Sequence, residues 1–391
     1  MSMIRSLLAL AISSALLTAC SPAEQAAPAP AATPKPQAAA VQPAPAEQAE
    51  PDEAEDVTTV DSGVKYEAIA EAFLTASTPD DNIDSPASWQ AEDGKTWLIG
   101  SAKGTHKLVI YDGDSGATLQ TFGKKGSELG EFKRPNGVFV IDDLAWVVER
   151  DNQRVQVLRL PALQPIGSFG QAELQKPYGL WLRRSQTGFE VLVSDAFMSE
   201  ANEDLPPANE LLAQRYKRYA VRIDGEQLNA ELLGHVGATD AAGAIRIPES
   251  LWGDEQNQRL LLAEEDQTDG TRIKVYNMDF NYAGQDIGKD LFRAQAEGIA
   301  LWQCADGSGY WLTTDQYKDR SVFHVFDRQS LAHLGAFAGN TVSNTDGVWL
   351  QQAATQTFPN GVFYAVHDDQ GVGAFDWRHI AQTLKLRESC Q

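Results

Sequence analysis

Asp84, Asn136, Glu249, Glu297 and Asp346 each stand in a short turn at the start of an apolar run, while Arg150, Asp195, Glu264, Glu265, Asp266, Asp315, Gln316, His367 and Asp368 each close a second apolar run. Oxygen ligands dominate both groups. Gathered in one place, carboxylate and amide oxygens suit Ca²⁺ far better than zinc or copper, which favour thiolate and imidazole. Several carboxylates cannot share one site un-neutralised, because like charges raise their pKa values or demand a cation. Taken singly, each of these residues reads first as a turn cap. Taken as the set Glu249, Glu265, Glu297 and Asp346, they point to a cation site.

Such a set can converge only if the chain repeats, and it does. A small-residue turn entering an apolar run recurs as Pro86-Ala-Ser-Trp89, Pro135-Asn-Gly-Val138, Pro177-Tyr-Gly-Leu180, Pro248-Glu-Ser-Leu251, Ala296-Glu-Gly-Ile299 and Thr345-Asp-Gly-Val348, at intervals of 49, 42, 71, 48 and 49. Each start is followed by two β-rich runs, for example Ala145-Trp-Val-Val-Glu149 and Arg154-Val-Gln-Val-Leu158, bounded by Gly, Asp and Asn turns. These are strand signals rather than helix signals. A fourth, weaker run is visible in Leu119–Phe122 and Pro165–Phe169. Four-stranded units at this period predict an all-β fold, a six-bladed β-propeller, since one blade alone cannot bury both faces. The long interval predicts an insertion between Ala196 and Tyr216, a loop over one face of the disc.

The chain resembles the β-propeller phytases, calcium-dependent enzymes that release phosphate from inositol phosphates. The likeness is carried by Pro248-Glu249, Ala263-Glu-Glu-Asp266, Ala296-Glu-Gly-Ile299, Gly309-Tyr-Trp-Leu-Thr-Thr-Asp-Gln316, Asn344-Thr-Asp-Gly347, Phe358-Pro-Asn-Gly-Val-Phe363 and, near the domain start, Asp84-Ser-Pro-Ala-Ser-Trp89. The resemblance implies calcium-coordinating or calcium-bridging roles for Asp84, Glu249, Glu265, Glu297, Gln316 and Asp346. It also implies phosphate binding by Lys103 and Arg150, with Lys103, Arg150, Glu249 and Glu297 as the catalytic set. In such a site the cation lowers the pKa of a bridging water that attacks phosphorus, and the basic side chains hold the phosphoryl oxygens. The implied activity is that of a 3-phytase-like phosphatase, with a phosphorylated small molecule such as phytate as substrate.

The departures from that pattern all remove charge. Ser85, Gln295, Asn340 and Asn344 stand where the family has acids, and Ala196 falls near the place of a phosphate-binding lysine. Phe122-Gly123 followed by Gly130-Glu-Phe-Lys-Arg-Pro-Asn-Gly137, and Phe169-Gly170 followed by Lys176-Pro-Tyr-Gly179, resemble NHL repeats, which imply a non-catalytic propeller binding an envelope protein or glycan. A propeller lactonase or esterase using one Ca²⁺ is a third reading.

The flanking sequence sets the expected location. Residues 1–19 carry Arg5, an apolar run from Leu7 to Leu17, and end Leu17-Thr18-Ala19 before Cys20. That run is too short to span a bilayer and reads as an export signal. It resembles a lipobox, which implies lipidation of Cys20. Residues 20–57, rich in Ala, Pro, Gln and Glu, read as a disordered tether, and 58–391 as the propeller domain, expected to be monomeric. Ser21 resembles the pattern for export to the outer membrane, facing the periplasm or exterior; the membrane is reached by the lipid anchor only. Cys304 and Cys390 either pair, as an oxidising compartment permits, or remain two buried thiols.

The charge balance narrows the partners further. With 32 basic against 54 acidic residues the formal net charge is -22. Such a surface repels phosphate backbones, so nucleic acid is not an expected partner. The histidines fall in no metal-helix spacing, and no phosphate-cradling Gly-rich loop precedes a helix.

Overall fold

The computed structural model describes residues 61–202 and 205–390. The export signal, Cys20 and the tether lie outside the described residues. Alternating apolar residues between tight turns make antiparallel meanders, and six of them form separate sheets. In blade 2 the order is Pro135–Ile141, Leu144–Glu149, Arg154–Arg159 and Gln164–Phe169, from the axis outward. Blades 3 and 4 repeat this from Pro177–Ser185 and Pro248–Asp254, blade 5 from Gln295–Gln303, and blade 6 from Val348–Gln351. Each inner strand packs against that of the next blade, and Val348–Gln351 returns to Ile83–Gln90, closing a six-bladed propeller.

The closure is held by strand exchange. Phe73–Leu74, from the beginning of the domain, pairs antiparallel with Gly371–Asp376 and serves as the outer strand of blade 6. Glu67–Ala68 adds a parallel fifth strand to blade 5 beside His333–Ala338. Joining first and last sequence segments in one sheet removes the free edges that an open disc would present. The final helix Trp377–Leu384 packs its Trp377 against Trp302, with ring centroids 5.2 Å apart. Cys304 and Cys390 form a disulfide, with Cα atoms 5.4 Å apart, so the first of the two alternatives holds.

One expectation needs correcting. Blade 1 begins its repeat at Ile83, not Pro86. Ile83 pairs with Ala102 as Pro135 pairs with Glu149, Pro177 with Asp195, Pro248 with Glu264 and Ala296 with Asp315. In all five a bulge follows, and Pro86 takes the place of Val138. Proline in blade 1 sits past the bulge rather than before it, and the shared residue type drew the alignment three positions astray. Glycines at the entry of the inner strands have a packing reason: a Cβ on Gly137 would lie 2.7 Å from the Tyr178 carbonyl oxygen, and one on Gly347 2.7 Å from that of Asp84. Only Gly lets adjacent inner strands approach so closely.

The channel is plugged part-way along. Phe139, Trp252 and Trp349, from the inner strands of blades 2, 4 and 6, meet with centroids 5.1 to 5.4 Å apart. Side chains from alternate blades can touch like this only across the axis.

Candidate active site at the mouth of the channel

The six-fold frame projects two rows of side chains at one end of the disc. The residue after each repeat start, at Ile83, Pro135, Pro177, Pro248, Ala296 and Thr345, gives the first row: Asp84, Asn136, Tyr178, Glu249, Glu297 and Asp346. The residue after Ala102, Glu149, Asp195, Glu264, Asp315 and His367, at the ends of the second strands, gives the second: Lys103, Arg150, Ala196, Glu265, Gln316 and Asp368. Bulges re-aim side chains in this way because two residues on one strand oppose one on its partner.

A cleft of about 330 Å³, measured to include solvent at its mouth, is lined by Lys103, Glu249, Glu265, Glu297, Gln316 and Asp346. All six were singled out in the sequence. Tyr178, Gln295, Lys318, Asn344 and Asp369 complete the lining. Five carboxyl groups therefore face two lysine ammonium groups. Glu249, Glu265, Glu297 and Lys103 are each at least 96% buried, which leaves little water to screen them.

Asp84 is not among the lining residues but bonds two of them, Tyr178 and Lys103. Its Oδ1 accepts from the Tyr178 hydroxyl at 3.0 Å and from Asn136 Nδ2 at 3.4 Å, and Lys103 Nζ stands 3.2 Å away. Its Oδ2 accepts from the Ser85 hydroxyl at 2.8 Å. Lys103 Nζ also lies 3.7 Å from Asp346 Oδ2, bridging blades 1 and 6.

Asp346 is strongly perturbed. Burial drives its carboxyl well above the ordinary carboxylate range; Lys103 opposes this, while Asp369, Asp84 and Glu297 reinforce it. Its Oδ1 accepts from Gln316 Nε2, and its Oδ2 accepts no hydrogen bond. One blade back, Gln295 Nε2 donates to Glu265 Oε1. Asn344, 4% exposed, gives Nδ2 to Asp369 at 3.2 Å and leaves its Oδ1 unbonded. Buried acceptors without donors are costly, and a cation meets that need. Among the described residues no three acidic, histidine or cysteine side chains stand ready around one metal-sized point. The amides of Gln295 and Gln316 are bonded into that space instead.

Arg150 belongs to the second row but is not among the lining residues; its Nε bonds Asp151 Oδ1 at 3.0 Å. Asp368 accepts from Gln370 Nε2 at 2.6 Å, and the cleft is lined by its neighbour Asp369.

The other strand-end acids face the opposite way. Glu264, adjacent to Glu265, accepts from the backbone N–H groups of Arg246 and Ile247 at 2.6 and 2.9 Å; burial nevertheless pushes its carboxyl up to about 7. Asp315 accepts from Arg293 and Ala294 N–H at 3.0 and 2.8 Å. Asp195 accepts from Lys176 N–H at 2.6 Å and from Lys217 Nζ at 2.6 Å. Glu149 holds the same place in blade 2, bonded by Lys133 N–H and Arg154. In blade 6 His367 Nδ1 takes the part, accepting from Ser343 N–H at 3.3 Å. These residues brace the loop entering each inner strand. Asp266 is turned aside as well, paired with Arg246.

Tyr178, Lys318 and Asp369 were not among the expected residues. Tyr178 follows Pro177 in the same repeat column as Asn136 and Glu249, so the column itself held the signal. Lys318 sits in the turn between the second and third strands of blade 5, where the blades differ in length and sequence, and no periodic signal marks it.

No family model matches the chain, and no curated protein matches it. Among solved structures, a chain from the crystal structure of a nidogen–laminin complex is 11% identical over 67% of this chain and 82% of that one, with a TM-score of 0.41. A chain from the crystal structure of BBS1N in complex with ARL6DN is 10% identical over 79% of this chain and 97% of that one, with a TM-score of 0.43. What is established for this chain is a six-bladed β-propeller.

Proposed function

We propose that the chain is a calcium-dependent phosphomonoester hydrolase of phytase type, releasing phosphate from myo-inositol phosphates such as phytate. The observation that carries this reading is the meeting of Glu249, Glu265, Glu297 and Asp346, from three blades, in one cleft with Lys103. The donor chemistry fits Ca²⁺: every candidate ligand is an oxygen, and Asp346 Oδ2 and Asn344 Oδ1 lack donors. Turning the amide of Gln295 or Gln316 end for end exchanges a donor for an acceptor and adds an oxygen to the set, a change that an arriving cation favours. Glu249, Glu265, Glu297 and Asp346, with Gln316, are the residues that would hold it, and Asp84 holds Tyr178 and Lys103 in place. Bound Ca²⁺ would supply positive charge to the phosphoryl oxygens and lower the pKa of water.

The remaining chemistry belongs to the chain. Lys103, held by Asp84 and Asp346, is placed to meet a phosphoryl oxygen as charge builds there. Arg150 reaches substrate only by leaving Asp151. The aromatic plug makes the mouth a blind cleft, so substrate enters and product leaves by the same side. Anchorage through a lipid on Cys20 belongs to the same proposal and places the activity in the cell envelope.

The test is release of inorganic phosphate from phytate with and without added Ca²⁺, at neutral and at alkaline pH. Calcium-dependent release is expected. No release under any of these conditions removes the enzyme and leaves a propeller that binds an envelope component; lactone turnover without phosphate release selects the esterase reading.

A further inference from the structure

The loop that delivers Asp346 is braced differently from its counterparts. In blades 3, 4 and 5 a carboxylate at the end of the second strand takes two backbone N–H groups of the loop entering the inner strand: Asp195 those of Gln175 and Lys176, Glu264 those of Arg246 and Ile247, Asp315 those of Arg293 and Ala294. Blade 6 has His367 at that place, and its ring takes one, from Ser343 at 3.3 Å. Yet this loop carries the unbonded acceptors Asp346 Oδ2 and Asn344 Oδ1, and it holds Asn344 in the left-handed region at φ 45°. Each of these features costs free energy that the loop's anchors must offset.

The missing carboxylate comes from outside the repeat. Glu71 lies on the strap between Glu67–Ala68, at the outer edge of blade 5, and Phe73–Leu74, at that of blade 6. Its Oε1 accepts from the N–H groups of Thr341 and Val342, each at 2.8 Å, and its Oε2 from that of Asn340 at 3.3 Å. Bonds of this kind to an ionised acceptor are about twice as strong as neutral ones. Gly339 makes room for the carboxylate, since a Cβ there would collide with it. Ile69 of the strap and Val342 of the loop are buried in the same apolar cluster, which fixes the two segments to each other. Asn344 and Asp346 follow Val342 within four residues.

We propose that Glu71 is a positioning residue for the cleft: it fixes the loop 340–346 so that Asn344 and Asp346 present their unbonded oxygens to a cation, which makes docking of the strap a condition of cation binding. This rests on the phosphomonoester reading above, which requires the cation. Glu71 is not among the lining residues and acts through the loop alone.

The experiment titrates Ca²⁺ calorimetrically into the chelator-treated full chain as wild type, Glu71→Ala, Glu71→Gln and Phe73→Leu, and follows amide hydrogen exchange over 340–346 in metal-free buffer. Phe73 is on the same strap but packs against Phe358 and Tyr364, toward the end of blade 6 away from His367, so its variant loosens the strap without touching the brace. Glu71→Ala should weaken Ca²⁺ binding about tenfold and speed exchange over 340–346. Glu71→Gln keeps one acceptor oxygen for Thr341 and Val342 and should recover part of both losses. Phe73→Leu should melt lower than the wild type yet bind Ca²⁺ within about twofold of it. Wild-type affinity or wild-type exchange in Glu71→Ala, or an equal loss of affinity in Phe73→Leu, overturns the proposal and leaves the hydrolase reading standing. Absence of Ca²⁺ uptake by the wild type overturns both.

Discussion

Glu264 and Glu265 are consecutive, and both are buried, yet they belong to different parts of the molecule. The first is one of the braces, with Glu149, Asp195 and Asp315, whose oxygens are met by backbone N–H groups of the incoming loop. The second belongs to the mouth, where carboxyl groups crowd one another and Asp346 Oδ2 and Asn344 Oδ1 go without donors. Residue type does not separate the regions; what answers each oxygen does. Carboxylates satisfied by the backbone stabilise the fold, and carboxylates that repel one another are kept at the expense of stability.

The comparison breaks first at a brace. Asp195→Ala should destabilise the domain by about 3–5 kcal/mol, because Lys217, 1% exposed, is left as an uncompensated buried charge. Denaturant unfolding monitored by tryptophan fluorescence measures this, and an unchanged midpoint would erase the distinction between braces and mouth. The mouth should respond in the opposite sense. Glu297→Gln should reduce phosphate release by about a hundredfold to a thousandfold, comparable to the loss of one electrostatic group at a reacting centre. Its melting temperature should not fall. Asp346→Asn should melt at or above the wild type in metal-free buffer, because a carboxyl pushed up by burial no longer has to ionise there.

A smaller effect lies away from both regions, on blade 5. His333 is held down to about 4 by burial and by His324, whose Nδ1 is 3.2 Å from its Nε2. A histidine depressed below 6.5 contributes stability at neutral pH that is lost as pH falls from about 6.5 through about 4. Melting curves across that window should slope less in His333→Gln than in the wild type. Identical slopes would assign the acid sensitivity to other groups.

Much of this was legible before any coordinates. Six recurring turns required six blades, and the columns of that repeat contained Glu249, Glu297 and Asp346. Orientation was not legible, because consecutive residues at a strand end point to different sides, and nothing in Ala263-Glu-Glu-Asp266 tells which glutamate meets the backbone. Pro86 misled because proline occurs on both sides of a bulge. Arg150 stands in the expected row, but the adjacent Asp151 draws its side chain aside. Lys318 could not have been found by periodicity, since the turns joining second and third strands differ in length and sequence from blade to blade and no lysine recurs at its place.

The most direct measurement is a calorimetric titration of Ca²⁺ into chelator-treated protein, wild type beside Asp346→Asn. Saturable uptake by the wild type, weakened at least about tenfold in the variant, is the expected result. Absence of uptake by the wild type would contradict a cation site at this mouth and would leave a propeller whose acidic cleft serves some other purpose.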